Sequence, residues 1–187
     1  MNKKLFVISG CSGVGKGTVL KKFMSGNSDN FMVSISCTTR SPRPGEIDGV
    51  NYFFVTKEEF INSINENKFL EYAEFAGNYY GTKKKFIKQK LEEGMNVILE
   101  IETQGALRVK KQMPEAVLIF IAPPSLEELE HRLRGRHTED EASIQKRLNE
   151  VKVEFERSKL YDYVVLNDNV ERAASELESI TAKELSM

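Results

Sequence analysis

Four short apolar runs organise the chain. "KLFVIS" (4–9), "NVILEI" (96–101), "AVLIFIA" (116–122) and "YVVLN" (163–167) are continuous rather than alternating in hydrophobicity. That is the pattern of strands buried on both faces of a parallel sheet. Segments with helical spacing lie between them, so the chain predicts an α/β fold with a parallel core sheet covered by helices. Three segments begin with the S/T-x-x-E pattern of a capping box: Thr56 to Glu59, Ser125 to Glu128 and Thr138 to Glu141. The last opens a helix that sets Ile144, Leu148, Val151 and Phe155 on one face.

Two regions depart from this core pattern. Residues 33–82 hold short strand-like pieces ("VSIS", "NYFFV", "FLEYAEF") around the loop "TTRSPRPGEIDGV". Residues 125–150 are helical and charged, with "HRLRGRHTEDE" at their centre. Both read as inserts on a core made of 1–32, 83–124 and 151–187, within one domain.

Length and composition agree with one soluble globular domain: 187 residues, 40% hydrophobic and 29% charged. The net charge of -1 leaves no whole-chain basic footprint, which argues against nucleic acid as a partner. No apolar run approaches the ~20 residues of a membrane span, and the N-terminal run is too short for a secretion signal. Two cysteines, Cys11 and Cys37, are too few for a disulfide framework. A reducing cytoplasm is the expected setting.

The first apolar run leads into "GCSGVGKGT" (10–18). A strand, a glycine-rich turn and a helix start are the context of a phosphate-binding loop. Gly10, Cys11, Ser12, Gly13, Val14, Gly15, Lys16, Gly17 and Thr18 are the expected triphosphate contacts. Their N–H groups form an anion nest at a helix N-terminus, with Lys16 as a point charge on the β- and γ-phosphates. The usual magnesium-binding hydroxyl is replaced by Gly17, and Thr18 comes one position late. Magnesium keeps several waters and needs few protein ligands, so the substitution does not disable the loop. Small nucleotide kinases carry the same G-K-G-T variant, which this loop resembles. Cys11 stands near the helix N-terminus, where a thiol pKa can fall. The alternative is that both cysteines are inert apolar fillers.

The second informative stretch is "TTRSPRPGEIDGVNYFFV" (38–55). Arg40 and Arg43 stand three apart in a loop stiffened by Pro42 and Pro44, and can present guanidinium forks to a phosphate. Tyr52 adds a neutral donor. The stretch matches the guanylate kinase signature T-[ST]-R-x2-[KR]-x2-[DE]-x2-G-x2-Y-x-[FY] at Thr38, Thr39, Arg40, Arg43, Glu46, Gly49, Tyr52 and Phe54. "FLEYAEFAGNYYGT", "LEIETQGA", "PPSLEELEHRLRGR" and "YDYVVLND" follow in the family's order, so the resemblance covers nearly the whole chain.

The resemblance implies a P-loop nucleoside-triphosphate-hydrolase-like fold with a GMP-binding insert and a helical lid. It implies ATP-dependent phosphorylation of GMP, and of deoxy-GMP, with Mg²⁺. Residues matching Arg40, Arg43, Tyr52 and Tyr80 would grip the GMP phosphate. Those matching Ser36, Glu71, Thr82 and Glu102 would surround the guanine. The family has aspartate where this chain has Glu102, which keeps the charge and adds a methylene. Glu100 is set to order magnesium-bound water. Arg132, Arg134, Arg136 and Arg147 are lid candidates, with those matching Arg136 and Arg147 the clearest in the family. The alternative, expected for at least one of the four, is a solvated helix face ion-paired to Glu139, Asp140 and Glu141. Asn167 matches a residue beside the adenine. The functional alternative is a catalytically inactive guanylate-kinase-like module that binds phosphopeptides.

Overall fold

The computed structural model describes residues 3–11, 13–134 and 141–187, with backbone alone at 126, 131–133, 142–144, 146 and 147. The elements are β1 (Leu5–Gly10), α1 (Lys16–Asn27), β2 (Phe31–Val33), β3 (Cys37–Thr38), β4 (Phe53–Phe54), α2 (Lys57–Asn65), β5 (Phe69–Phe75) and β6 (Asn78–Lys83). They continue with α3 (Lys84–Glu92), β7 (Asn96–Glu100), α4 (Thr103–Gln112), β8 (Val117–Ala122), α5 (Leu126–Arg134), α6 (Glu141–Ser158), β9 (Tyr163–Leu166) and α7 (Val170–Ser186).

The core sheet runs β2-β7-β1-β8-β9 with every pair parallel. Its central strand explains the layering. Side chains alternate along β1, so Phe6 and Ile8 join a cluster with Val19, Phe23 and Leu177 from α1 and α7. Leu5 and Val7 join the opposite cluster, with Ile87 of α3 and Ala106 and Val109 of α4. All six residues of β1 and of β8 are buried, as continuous apolar runs require. The carboxyl ends of β1 and β7 open into the functional region, the usual place for a ligand in such a sheet.

The second sheet, β4-β3-β6-β5, has its own small core of Cys37, Phe60 and Phe69. The Phe60 and Phe69 rings stack at 4.3 Å between centroids. The Thr56–Glu59 capping box forms in full: Glu59 N–H donates to Thr56 Oγ1 at 3.1 Å and Thr56 N–H donates to Glu59 Oε2 at 2.8 Å. At Ser125, Glu128 N–H donates to the serine hydroxyl at 3.1 Å, as an N-cap requires. Thr138 lies outside the described residues.

Several local expectations change. "VSIS" is not one strand: Val33 ends β2 in the core sheet, and β3 starts at Cys37 in the second sheet. Val33 and Lys83 thus each fall one residue across the boundaries that the pattern set. The β5–β6 hairpin turns at Ala76 and Gly77, both at positive φ (50° and 76°). Val151 is fully buried and Leu148 packs on the core, but Phe155 is 42% exposed. Phe155 reaches only the edge of Phe120, at 6.4 Å between ring centroids. Helical spacing identifies a face, and the neighbouring elements decide how much of it they cover.

Candidate functional site

The phosphate loop joins β1 to α1. Gly10 is obligatory for packing: a Cβ there would lie 2.2 Å from the Ile121 carbonyl oxygen. Gly13 and Gly15 have φ of 86° and 91°, and Gly15 is the left-handed N-cap of α1. The turn closes with Val14 N–H on the Cys11 carbonyl at 3.2 Å. Lys16 arches back over the loop, donating to the carbonyls of Gly10 at 2.6 Å and Cys11 at 3.2 Å. Burial lowers its pKa, while Glu154 and Glu100 favour the charged form. Ser12 lies outside the described residues.

Asn167, expected beside an adenine, packs against the phosphate loop. It is buried, and its amide donates to the Val14 carbonyl at 2.7 Å. A Cβ on Gly15 would stand 3.0 Å from the same amide nitrogen. Asn167 therefore braces the loop from the carboxyl end of β9.

Gly17 and Thr18 are exposed at the start of α1. The nearest group to a Cβ on Gly17 would be Glu100 Oε1, at 3.9 Å. A carboxylate thus faces the position where related loops carry a hydroxyl. Among the described residues no three His, Cys, Asp or Glu side chains gather into a metal-binding group. Glu100 and Thr18 suit a magnesium ion held mostly by phosphate and water.

Cys11 is fully buried in the main core. Its thiol is pushed up to about 12, chiefly by burial, with Glu154 adding to the rise and Lys16 opposing it. Burial of the thiol therefore favours the filler reading over the reactive one. Cys37 is also buried and raised by burial.

A cavity of about 350 Å³ lies between the two sheets. Ser36, Tyr52, Glu71, Tyr80, Glu100 and Glu102 are among its lining residues. Six of the residues expected around the monophosphate therefore converge, if Thr82 is counted through its bond to Glu71: the Thr82 hydroxyl donates to Glu71 Oε1 at 2.7 Å. Glu71 is only 6% exposed. Burial raises its pKa, the Thr82 bond opposes the shift, and the nearby Glu102 charge adds to it. Gly105 of α4 makes room for this carboxylate, since a Cβ there would stand 3.1 Å from Glu71 Oε2.

The arginine loop is held by an acid whose role the sequence reading missed. Glu46 accepts from Arg40 Nη2 at 2.8 Å and from Arg43 N–H at 2.7 Å. The Arg40 guanidinium lies 5.5 Å from the centre of the Tyr52 ring, which in turn meets Tyr80 at 6.2 Å. Arg40, Tyr52 and Tyr80 thus form one cluster at the cavity, with Arg43 exposed beside it. The acidic position within the signature was the available clue to Glu46. Gly105 could have been suspected only from the small residues of "QGA".

In the charged region, Arg134 is committed to ion pairs with Glu130 and Glu141, each at 2.8 Å or less. Arg136 lies outside the described residues. Arg132 and Arg147 fall within α5 and α6, where only their backbone is described. On α6, Arg157 Nη1 donates to Thr103 at 3.2 Å, joining this helix to the start of α4.

A family model described as guanylate kinase matches residues 2–184. Guanylate kinases of Bacillus cereus and Bacillus anthracis are each 53% identical to this chain over 180 residues, covering 96% of it and 88% of the relative. Among solved structures, the crystal structure of guanylate kinase from Anaplasma phagocytophilum superposes with a TM-score of 0.75 at 33% identity, covering 97% of this chain and 86% of that one.

Proposed function

The chain belongs to the guanylate kinase family, and on that premise we infer that it transfers the γ-phosphoryl group of ATP to GMP, giving ADP and GDP. The supporting observation is the double position of Glu100. It lines the cavity that holds Glu71, and its carboxylate also faces the start of α1 beside the phosphate loop. On this reading the two nucleotide sites share one wall, which suits transfer between them.

Guanine offers N1–H and a 2-amino group along one edge. The Glu71 carboxylate accepts from both, with Thr82 holding its other lone pairs and Ser36 and Glu102 completing the surround. Adenine presents a lone pair at N1 and lacks the amino group, which would leave a buried carboxylate poorly paired. Arg40, Arg43, Tyr52 and Tyr80 take the monophosphate. None of these contacts requires the ribose 2′-hydroxyl, so deoxy-GMP is a second acceptor.

The nucleophile is a phosphate oxygen of GMP. Its second ionisation lies near pH 6, so it is largely dianionic at neutral pH and needs no general base. A bond forms from this oxygen to the γ-phosphorus as the bond from γ-phosphorus to the β-bridging oxygen breaks, and ADP departs. Catalysis is alignment and charge neutralisation. The loop N–H groups and Lys16 hold the ATP phosphates, and Arg136 and Arg147 close over the transferring group. Glu100, through ordered water, and Thr18 would hold a magnesium ion, which would supply charge neutralisation on the phosphate oxygens. Closure of the helical region excludes water as a competing acceptor. Two buried free thiols suit a reducing, cytoplasmic setting.

The deciding experiment is a coupled assay of ADP formation from ATP with GMP, AMP, UMP or dTMP as acceptor. Rapid turnover with GMP alone is expected. Equal turnover with AMP, or none with any acceptor, refutes the reading.

A further inference from the structure

Strand β5 contains a register shift at its start. Phe69 pairs with Lys83 and Glu71 with Thr82, so Leu70 has no partner in the ladder. This bulge solves a packing conflict. Phe69 is required in the small core with Phe60, whereas Leu70 packs into the α3–α4 side of the core sheet with Ala106 and Val109. With one extra residue, three consecutive side chains can all be buried: Phe69, Leu70 and then Glu71 in the cavity. The bulge therefore decides where the Glu71 carboxylate points.

One face of α4 grips this bulge. Gln112 Nε2 donates to the Leu70 carbonyl at 2.8 Å, and Arg108 Nη1 donates to the Tyr72 carbonyl. Gly105 leaves space for the Glu71 carboxylate between them. Positions 105, 108 and 112 follow one another along a single helical face. The backbone on both sides of Glu71 is thus bonded to a helix of the core, not only to its own sheet. Arg108 also lies over the Tyr72 ring, 6.0 Å from its centre.

We propose that Gln112 and Arg108 are positioning residues for guanine recognition: they hold the β5 bulge against α4 and so set where the Glu71 carboxylate meets the 2-amino edge of the base. Neither side chain enters the cavity lining, and both residues are exposed, so their loss leaves the cores intact. A purely structural tie between helix and strand would change stability without changing the choice of base.

This inference rests on the GMP kinase reading, and the test separates the two. Gln112→Met keeps the length and removes the donor. Gln112→Lys restores a donor to the Leu70 carbonyl. Both are made alone and with Arg108→Ala in the full chain, with thermal melting to verify folding. Steady-state kinetics at saturating ATP compare GMP with inosine monophosphate, which keeps N1–H and lacks the 2-amino group. For Gln112→Met with Arg108→Ala, KM for GMP rises and the kcat/KM preference for GMP over inosine monophosphate falls, each on the order of tenfold. The KM for ATP and the kcat at saturating GMP stay within about twofold, because the transferring groups are untouched. Gln112→Lys alone keeps the wild-type preference. An unchanged preference in the double variant overturns the inference, as does a loss in Gln112→Lys equal to that in Gln112→Met. A wild-type protein that fails to phosphorylate GMP would instead remove the function beneath it.

Discussion

Replacing Glu71 by glutamine alters charge and donor pattern at nearly constant shape. The Thr82 hydroxyl claims Oε1 at 2.7 Å, and Gly105 backs Oε2. The amide has two orientations. In one, its oxygen serves Thr82 and its NH₂ faces guanine donors. In the other, its oxygen serves guanine and its NH₂ faces the Thr82 hydroxyl, which must turn to accept. Either way, one hydrogen bond to the base is lost and the other loses its charge assistance. Hydrogen bonds to charged groups contribute about 1.5–3 kcal/mol each, so a combined loss of about 3 kcal/mol is expected. At about 1.4 kcal/mol per tenfold, kcat/KM for GMP falls roughly 150-fold. Stability should move the other way. Burial raises the Glu71 pKa above its unfolded value, so ionising it in the folded protein is unfavourable. That penalty is absent below the unfolded pKa of about 4.3, grows as pH rises, and is complete above the raised folded pKa. The glutamine variant removes it, so its unfolding free energy at neutral pH equals or exceeds that of wild type. Its advantage vanishes towards pH 4. Steady-state assays and denaturant melts at both pH values provide the check. A loss in kcat/KM below threefold, or a variant less stable than wild type only at neutral pH, would refute the reasoning.

The same titration predicts a pH effect on substrate. As pH falls through the raised Glu71 pKa, wild-type KM for GMP rises, and its ratio to the KM of Glu71→Gln removes the shared titration of GMP itself. A ratio independent of pH would contradict it. Lys16→Ala should lower kcat by roughly 100-fold or more through lost charge on the phosphates, measured with saturating ATP and GMP; wild-type turnover would sink the mechanism. Gly10→Ala should destabilise by about 3 kcal/mol or more, because its Cβ would meet the Ile121 carbonyl at 2.2 Å and a backbone must shift; denaturant unfolding measures it. Cys11 and Cys37 should resist thiol alkylation at pH 8 in the folded protein and react in guanidinium, as followed by mass spectrometry. Rapid labelling of folded Cys11 would overturn the buried-filler assignment.

Local chemistry made much of the fold legible. The strand, the glycines, Lys16 and the helix start are contiguous, so their geometry follows from short-range backbone preferences. The Thr56–Glu59 cap and the arginine loop are local in the same way. Continuous apolar runs identified four of the five parallel strands. The missing one, β2, has three residues and joins the sheet only by pairing with β7, which no local pattern records. "VSIS" failed for the same reason, because it spans the passage from one sheet to the other.

What the sequence determined by itself was the class of fold, the phosphate loop and, through the guanylate kinase resemblance, the identities expected around both nucleotides. It left Cys11 between two readings, since proximity to a helix N-terminus is local and burial is not. Tertiary structure settled that contest in favour of burial. It also set the brace of Asn167 on Val14, the hold of Glu46 on both arginines, and the bulge that turns Glu71 towards Thr82. The physical reason is common to all of these. Desolvation and hydrogen-bond partners depend on which distant segments close over a side chain, whereas loop geometry and strand periodicity are already present in neighbouring residues.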